Sequence, residues 1–296
     1  MPYDVPYDLE RASRRILDVL ANYEARAVFF VVGRIAEDYP QIVRALAEAG
    51  HEVGLHGYEH EDLGAYDQAQ LAKFDRDLCR VEGLVEKLTG KRPKCFRAPY
   101  LLGPRFYRRE VYALLRRHGY AWVSNREIRY PIELFRPDRI SIPIAWSRHL
   151  ADSRLGLTAL NAGLLAKESF GGSARGRLRW LLTSREPFDR DGLIEVPLYA
   201  PLDCDLVLLP APEEDTPPKL LAYARNVARA AAVGQGPLSM VTFHDWIVAG
   251  GNRLVLLDEA LAAARAQGRK VRPFNPVSGV AAHGSTNNDN APAGHS

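Results

Sequence analysis

The chain has 296 residues, 47% of them hydrophobic and 25% charged, which is typical of a globular protein with ample material for a core. Its 39 basic and 36 acidic side chains leave a net charge of +3, which gives no indication of a nucleic-acid partner. The longest apolar run, residues 27–32, is far too short to span a bilayer, and the first residues lack the pattern of a signal peptide. Three cysteines without CxxC spacing argue against a disulfide framework, so we expect a reducing, cytoplasmic location.

Helical and strand-like patterns alternate along most of the chain. In the clearest helix, 67–89, apolar residues recur every three or four positions, with Asp67 as an N-cap and Gly90 as a stop. Similar patterns predict helices near 10–24, 39–49, 107–118, 217–232 and 251–267. Short apolar runs predict strands at 28–32, 52–55, 95–97, 121–124, 193–196, 238–243 and 270–273. Continuous apolar runs suit a parallel sheet covered on both faces, so the sequence predicts an α/β barrel of about seven or eight units.

Two segments break this alternation. Residues 145–190 carry eight basic and four acidic side chains, and within them 155–170 predicts a helix rich in Leu and Ala. We interpret this basic insertion as a lid packed on the barrel; an anionic glycan, a lipid-linked sugar phosphate or a membrane surface is the alternative partner. Residues 277–296 contain almost no large apolar side chain, and we expect them to be disordered. The prediction is one domain over residues 1–276 followed by a tail.

No apolar strand precedes the first predicted helix. A barrel of repeating β-α units begins with a strand, so the first strand is missing from this chain or lies outside it, and we expect Met1 to be an internal start. The strands at 28–32 and 270–273 should then flank a gap, or be covered only by residues 1–6. We expect low activity from this chain alone, and restoration by an upstream segment that ends in an acidic pair.

Polar clusters follow three of the predicted strands, where (β/α) barrels place their sites. In residues 51–60, HEVGLHGYEH, the four-residue spacing of His56 and His60 lets two imidazoles converge on one cation. In residues 96–100, FRAPY, an inward-facing Arg97 would need an anionic partner. In residues 241–246, VTFHDW, His244 ends an apolar strand and could donate or accept a proton. Taken one at a time, each cluster also has a purely structural interpretation. His56 and His60 could be surface histidines, Arg97 could lie at the rim with its guanidinium in water, and His244 could be a core histidine.

In order and spacing, these clusters and AVFFVVG at 27–33 resemble the polysaccharide deacetylase family, also called the NodB homology domain or carbohydrate esterase family 4. The resemblance extends from about residue 12 to residue 273. It implies a distorted (β/α) barrel with one divalent cation, usually zinc. It also implies that the protein removes N-acyl groups from a sugar or glycan by metal-assisted hydrolysis.

The resemblance also assigns roles by position. His56 and His60 would be metal ligands, and Arg97 would orient a catalytic aspartate. The backbone N–H of Tyr100 would help to hold the oxyanion, and His244 would protonate the leaving amine.

Three further residues are candidates for contact with the substrate. Trp122 keeps the aromatic residue of the family's fourth motif, although WVSN at 122–125 lacks its acid. Thr242 stands where the family usually has a leucine that lines the acyl pocket, and Trp246 follows the last motif.

The largest departure from the family concerns its first motif, a strand that ends in two aspartates. The nearest acids here are Asp4 and Asp8, and Asp8 is more simply an N-cap of the first helix. The local sequence favours a turn at Asp4, two residues before Pro6. Asp4 is also our candidate for the third metal ligand. Glu195, Asp203 and Asp205 are possible substitutes for the missing acids.

Three functions therefore remain open from the sequence. The first is an N-acyl-sugar deacetylase. The second is an allantoinase-like hydrolase of a small amide, which the threonine at 242 and the altered fourth motif favour. The third is a non-catalytic barrel that binds but does not turn over, which the absence of the acidic pair favours.

Overall fold

The computed structural model describes residues 7–105, 107–129, 186–200, 203, 214–233 and 238–276. Asp4, Asp205, the predicted helix at 155–170 and the predicted disordered tail at 277–296 lie outside the described residues, as does most of the basic insertion. The division into one domain and a tail stays a prediction.

Helices and strands alternate through the first half of the chain, as the sequence predicts. The helices are α1 (Leu9–Asn22), α2 (Gly33–Asp38), α3 (Pro40–Glu48), α4 (Gln68–Thr89), α5 (Arg109–Arg117), α6 (Pro218–Val233), α7 (Asp245–Val248) and α8 (Leu254–Ala266). The strands are β1 (Val28–Val31), β2 (Glu52–Leu55), β3 (Cys95–Phe96), β4 (Trp122–Val123), β5 (Glu127–Arg129), β6 (Phe188–Arg190), β7 (Leu193–Glu195) and β8 (Leu198–Ala200). All six predicted helices and five of the seven predicted strands are confirmed.

Local capping explains where two of these helices begin. Asp8 accepts a hydrogen bond from the Arg11 backbone N–H at 2.9 Å, which confirms it as the N-cap of α1. Asp67 and Gln70 form a reciprocal capping box at the start of α4. The same helix ends at Gly90, whose φ of +72° is the left-handed conformation that glycine adopts without strain.

The main sheet has six strands in the order β1-β2-β3-β4-β7-β6. The pairs from β1 through β7 are parallel, and β6 pairs with β7 in the antiparallel direction. Because consecutive parallel strands end at the same edge, the loops after β2, β3 and β4 lie next to one another. The predicted α/β class with a parallel sheet is confirmed, and this edge positions the candidate site.

Two predicted strands, 238–243 and 270–273, are wrong within the described residues: neither forms a ladder there. One backbone bond, from Arg26 N–H to the Val271 carbonyl at 3.0 Å, joins the second segment to the residues before β1. Instead, Leu238, Met240 and Phe274 pack with their side chains against a cluster around Trp122. These side chains are partly buried by packing without paired backbones, and β1 is an edge strand of the described sheet.

Helices cover the sheet and bury two main apolar clusters. One is formed by α3, α4 and α5 with the first strands, and the other joins α1 to α6, α7 and α8. No helix within the described ranges is long and apolar enough to cross a membrane.

A charged network is buried between α4 and the end of α5. Glu82 is fully buried, and its two carboxylate oxygens each lie 3.0 Å from Nδ1 of His118. The other ring nitrogen of His118 lies 2.6 Å from Asp75, and Arg92 contacts Glu82 at 2.6 Å. Burial opposes protonation of His118, but the hydrogen bonds to Glu82 and Asp75 outweigh it and raise the pKa of the imidazole.

We expect His118→Gln to destabilise the protein more at low pH than at high pH. A folded-state pKa above the unfolded value of about 6.5 means that the stabilisation is complete below that pH and is lost as the pH rises through the raised pKa. Hydrogen bonds to charged groups predict a loss of about 2 kcal/mol in the free energy of unfolding at pH ~6. Urea unfolding at pH ~6 and ~9 measures the difference; Arg117→Gln, which removes an ion pair with the partly exposed Asp75, is the control. An equal loss at both values would contradict the assignment.

Candidate active site

The loop after β2 brings two histidines together at the carboxyl edge of the sheet. The His56 backbone N–H donates to the Val31 carbonyl at 2.9 Å, which extends the β1–β2 pairing by one residue. Gly57 follows with a φ of +74°, and a Cβ there would lie 2.8 Å from a carboxylate oxygen of Glu61 and 3.1 Å from Pro99. Only glycine permits this turn beside the loop after β3.

The turn directs the His60 ring back towards His56. His60 has a φ of +57°, a conformation that costs a non-glycine residue free energy and is typical of functional sites. The two ring centroids are 4.9 Å apart, at an interplanar angle of 73°. The carboxylate of Glu61 accepts the backbone N–H groups of Tyr58 and Glu59, so it stabilises the turn.

Both imidazoles are held in the neutral form that binds metal ions. Burial lowers the pKa of His56 to about 3. Burial also lowers the pKa of His60, and the nearby His244 lowers it further. Nδ1 of His56 lies 2.7 Å from the Arg97 carbonyl oxygen, which can only accept, so Nδ1 carries the proton and Nε2 has the free lone pair.

This pair fits part of a zinc site. Two neutral imidazoles, one with its second nitrogen bonded to a backbone carbonyl, match the ligand chemistry of catalytic zinc. Within the described residues, however, no group of three histidine, cysteine, aspartate or glutamate side chains could hold a metal ion. A third ligand would have to come from elsewhere in the chain, and Asp4 lies outside the described residues.

Arg97 directly follows β3, and its side chain is buried and turned inwards. Its guanidinium donates to the Ser124 carbonyl at 3.1 Å, to the Ser124 hydroxyl at 2.9 Å and to the Thr242 hydroxyl at 2.9 Å, and its carbon lies 4.5 Å from the Phe30 ring centroid. Burial lowers the pKa of Arg97 to about 10, so it remains charged at neutral pH. Within the described part of the chain, all its hydrogen-bond partners are neutral.

Tyr100 borders the histidine pair. Its φ is +53°, the first of three consecutive positive values that continue through Leu102. The Tyr100 ring is 59% exposed, and its centroid lies 4.9 Å from that of His60. The backbone of this residue is therefore held in an uncommon conformation directly beside the candidate metal ligands.

His244 is paired with a buried carboxylate that the sequence did not single out for this role. Nδ1 of His244 donates to Asp203 at 2.6 Å, and the His244 backbone N–H donates to the other oxygen of the same carboxylate at 2.6 Å. Asp203 is 1% exposed. The sequence offers Asp203 only as a substitute acid, whereas its contacts make it the residue that orients His244.

Of the three residues predicted to contact the substrate, Trp122 lies in the core, whereas Thr242 and Trp246 lie beside Arg97 and His244. Trp122 is 1% exposed and packs edge-on against Phe30 and Phe274, so this structure places it in the core instead of presenting it to a substrate. The Thr242 hydroxyl bonds to Arg97. The Trp246 ring lies 6.0 Å from that of His244, next to the site.

Glu195 does not supply a free base in the described structure. It is fully buried, accepts the backbone N–H groups of Asn125 and Arg126 at 2.7 and 2.9 Å, and accepts the hydroxyl of Tyr112. Because these hydrogen bonds occupy both carboxylate oxygens, Glu195 stabilises the loop after β4.

Comparisons with known proteins agree with this arrangement. The sequence model of the polysaccharide deacetylase family matches residues 3–123. A peptidoglycan-N-acetylglucosamine deacetylase of Bacillus cereus is 33% identical over 100 residues, which are 34% of this chain and 35% of that protein. A chitooligosaccharide deacetylase of Sinorhizobium fredii is 48% identical over 50 residues, 17% of this chain and 23% of that one. The matched stretches thus span about a third or less of these relatives.

A solved structure extends the likeness beyond the matched stretch. The crystal structure of a Mycobacterium smegmatis protein of the polysaccharide deacetylase type superposes with a TM-score of 0.52 at 18% identity, over 89% of this chain and 80% of that one. This likeness concerns the fold. The stretch that matches the polysaccharide deacetylase family, residues 3–123, contains the histidine pair, Arg97 and Tyr100.

Proposed function

We propose that this protein is a metal-dependent hydrolase that removes acetyl groups from the N-acetylated sugars of a glycan. The observation that carries the proposal is the pair of neutral imidazoles, His56 and His60, at the carboxyl edge of a parallel sheet, beside Arg97 and Tyr100. The named activities of the matched relatives support the substrate class, because peptidoglycan and chitooligosaccharides share N-acetylglucosamine.

We propose one divalent cation, zinc, held by His56, His60 and Asp4. Tyr7 donates its hydroxyl to Asp245, the residue after His244, so the described chain begins next to the site. Asp4 is three residues before Tyr7, within a reach of about 10 Å for an extended chain. A buried guanidinium without a carboxylate is costly, so the neutral surroundings of Arg97 also favour an acid from these residues.

The chain's own residues fit amide hydrolysis in the following roles. When bound, the metal ion would polarise the acyl carbonyl and acidify a water molecule. The Tyr100 backbone N–H would donate to the carbonyl oxygen as negative charge develops there. Asp203 holds Nδ1 of His244, so that Nε2 of the imidazolium is the proton donor. The water oxygen bonds to the acyl carbon and one water proton passes to solvent. The C–N bond then breaks, the amine leaves with the proton from His244, acetate is released, and solvent returns a proton to His244.

The alternative hydrolase receives less support. The allantoinase-like alternative depends on the altered fourth motif and on Thr242, and the Thr242 hydroxyl accepts a hydrogen bond from Arg97, which gives it a structural role within the site. The non-catalytic alternative rests on the missing acidic pair, and it is consistent with the lack of a group of three metal-binding side chains within the described residues. The cytoplasmic location, a membrane or lipid-linked substrate and the role of the basic insertion stay predictions.

The test is acetate release by the purified chain after loading with Zn²⁺. We expect release from N-acetylglucosamine oligomers and from peptidoglycan at a low but measurable rate, its loss after chelation, and recovery when zinc is restored. Allantoin is the control substrate and should not be hydrolysed. Stoichiometric zinc binding without any acetate release would favour the non-catalytic barrel, and absence of zinc binding would contradict the metal site itself.

A further inference from the structure

The peptide unit between Arg97 and Ala98 is hydrogen-bonded at both ends. Its carbonyl oxygen accepts from Nδ1 of His56 at 2.7 Å. Its N–H donates to Oδ1 of Asn125 at 2.8 Å. Because the C=O and N–H of a planar trans peptide point in opposite directions, the Asn125 side chain sets the plane of the peptide and hence the direction in which its carbonyl meets His56.

The orientation of the Asn125 amide is determined by its two neighbours. The Ala98 N–H can only donate, so the atom facing it is the oxygen. The amide nitrogen then faces the Tyr112 hydroxyl at 3.3 Å, and that hydroxyl gives its own proton to Glu195. Donors and acceptors therefore match throughout the cluster only when Oδ1 of Asn125 faces the peptide.

Asn125 is itself held rigidly. It is fully buried, and its backbone N–H donates to the buried carboxylate of Glu195 at 2.7 Å. Glu195 also takes the next backbone N–H, that of Arg126, at 2.9 Å. The carboxylate thus fixes the loop after β4, and the loop presents Asn125 to the peptide across 27 positions of sequence.

We propose that Asn125 is a positioning residue for His56: through the Arg97–Ala98 peptide it keeps the imidazole protonated on Nδ1 and presents Nε2 to the metal ion. The consequence for zinc rests on the proposed function, whereas the tautomer of His56 does not. Each hydrogen bond in the series polarises the next, so an acceptor at the Ala98 N–H strengthens the carbonyl as an acceptor for His56. Outer partners of this kind orient a ligand and raise its basicity.

The first measurement is the tautomer of His56 in the metal-free, folded full chain, read from ¹⁵N NMR of the imidazole nitrogens. The His56 signals are assigned by their loss in His56→Gln. We expect wild-type His56 to be protonated on Nδ1, and Asn125→Ala to shift the ring towards a mixture of the two tautomers. Wild-type protonation on Nε2 would overturn the proposal before any variant is made.

The matched control is Tyr112→Phe. It removes the hydroxyl that bonds both Glu195 and Asn125, so it weakens the same buried cluster but leaves the bond from Ala98 to Asn125 intact. We expect the wild-type tautomer in this variant. If Tyr112→Phe and Asn125→Ala shift the ring equally, the effect is a general loosening and the proposal is wrong.

Asn125→Asp is measured beside them because Asn125→Ala leaves a gap in the core. It keeps an oxygen facing Ala98 and should retain the tautomer; loss of the Nδ1-protonated form in folded Asn125→Asp would contradict the proposal. Zinc affinity, from competition with a chelating dye, should fall about tenfold or more in Asn125→Ala and remain unchanged in Tyr112→Phe. A wild-type chain that binds no zinc would reject the proposed function, while the tautomer measurement would still decide on Asn125.

Discussion

Replacing His60 with alanine is expected to abolish stoichiometric zinc binding and acetate release together. His60 supplies one of the two imidazoles in the described site, and its left-handed backbone directs the ring towards His56. Loss of a direct ligand should weaken zinc binding by more than the roughly 10- to 100-fold loss that is typical when only an outer partner of a ligand is removed. Metal analysis after dialysis against a weak chelator measures the bound zinc, and acetate release is assayed on the same samples.

His51→Gln is the matched control for that experiment. His51 belongs to the same ten-residue stretch, but Nδ1 of its ring accepts the Ala27 backbone N–H at 3.1 Å and its ring packs edge-on against Phe29. This variant should keep its zinc. If the His60→Ala protein had the wild-type zinc content, the histidine pair would not be the metal site, whatever the activity of the variant.

The second large effect is expected at His244. As the proton donor to the leaving amine, its replacement by alanine should lower kcat by about 10²- to 10⁴-fold while zinc content is retained. The reason is that the C–N bond cannot break easily unless the nitrogen is protonated. Steady-state kinetics on an N-acetylglucosamine oligomer, with metal analysis of the same preparation, separate the two quantities.

The Asp203→Asn variant tests whether the Asp203 carboxylate supports the proton donor His244. The amide oxygen can still accept the backbone N–H, but the charge that stabilises an imidazolium at Nδ1 is gone. We expect a smaller decrease in kcat than in His244→Ala and the same zinc content. If His244→Ala turned over at the wild-type rate, or if it lost its zinc, the role of a proton donor would be wrong.

Sequence alone was sufficient where the decisive interactions are local. Asp8 and Asp67 cap their helices through backbone groups three residues away, and Gly90 ends α4 by its own backbone conformation. The four-residue spacing of His56 and His60 likewise placed both on one tight loop after a strand, and the short predicted strand at 95–97 placed Arg97 at the neighbouring strand end. The fold class, most elements and the placing of the two histidines on one loop could therefore be predicted.

Other elements depended on which neighbours the tertiary structure provides. The apolar runs at 238–243 and 270–273 look like strands locally, yet the described residues offer them no ladder, and Leu238, Met240 and Val271 are only partly buried against apolar clusters. An apolar run predicts burial, and only a paired backbone makes it a strand. Trp122, predicted to contact the substrate, is core for the same reason: an aromatic side chain gives no sign by itself of which surface it meets.

The polar partners of the site were decided entirely by tertiary contacts. Asp203 reaches His244 across 41 positions, and Asn125 reaches the Ala98 amide across 27. No periodicity or spacing relates such distant residues, so the sequence identified the histidines and the arginine but not the groups that orient them. These partners are needed because the site is buried. A charged or polar atom that is removed from water raises the free energy of the folded protein unless the fold places a hydrogen-bond partner next to it.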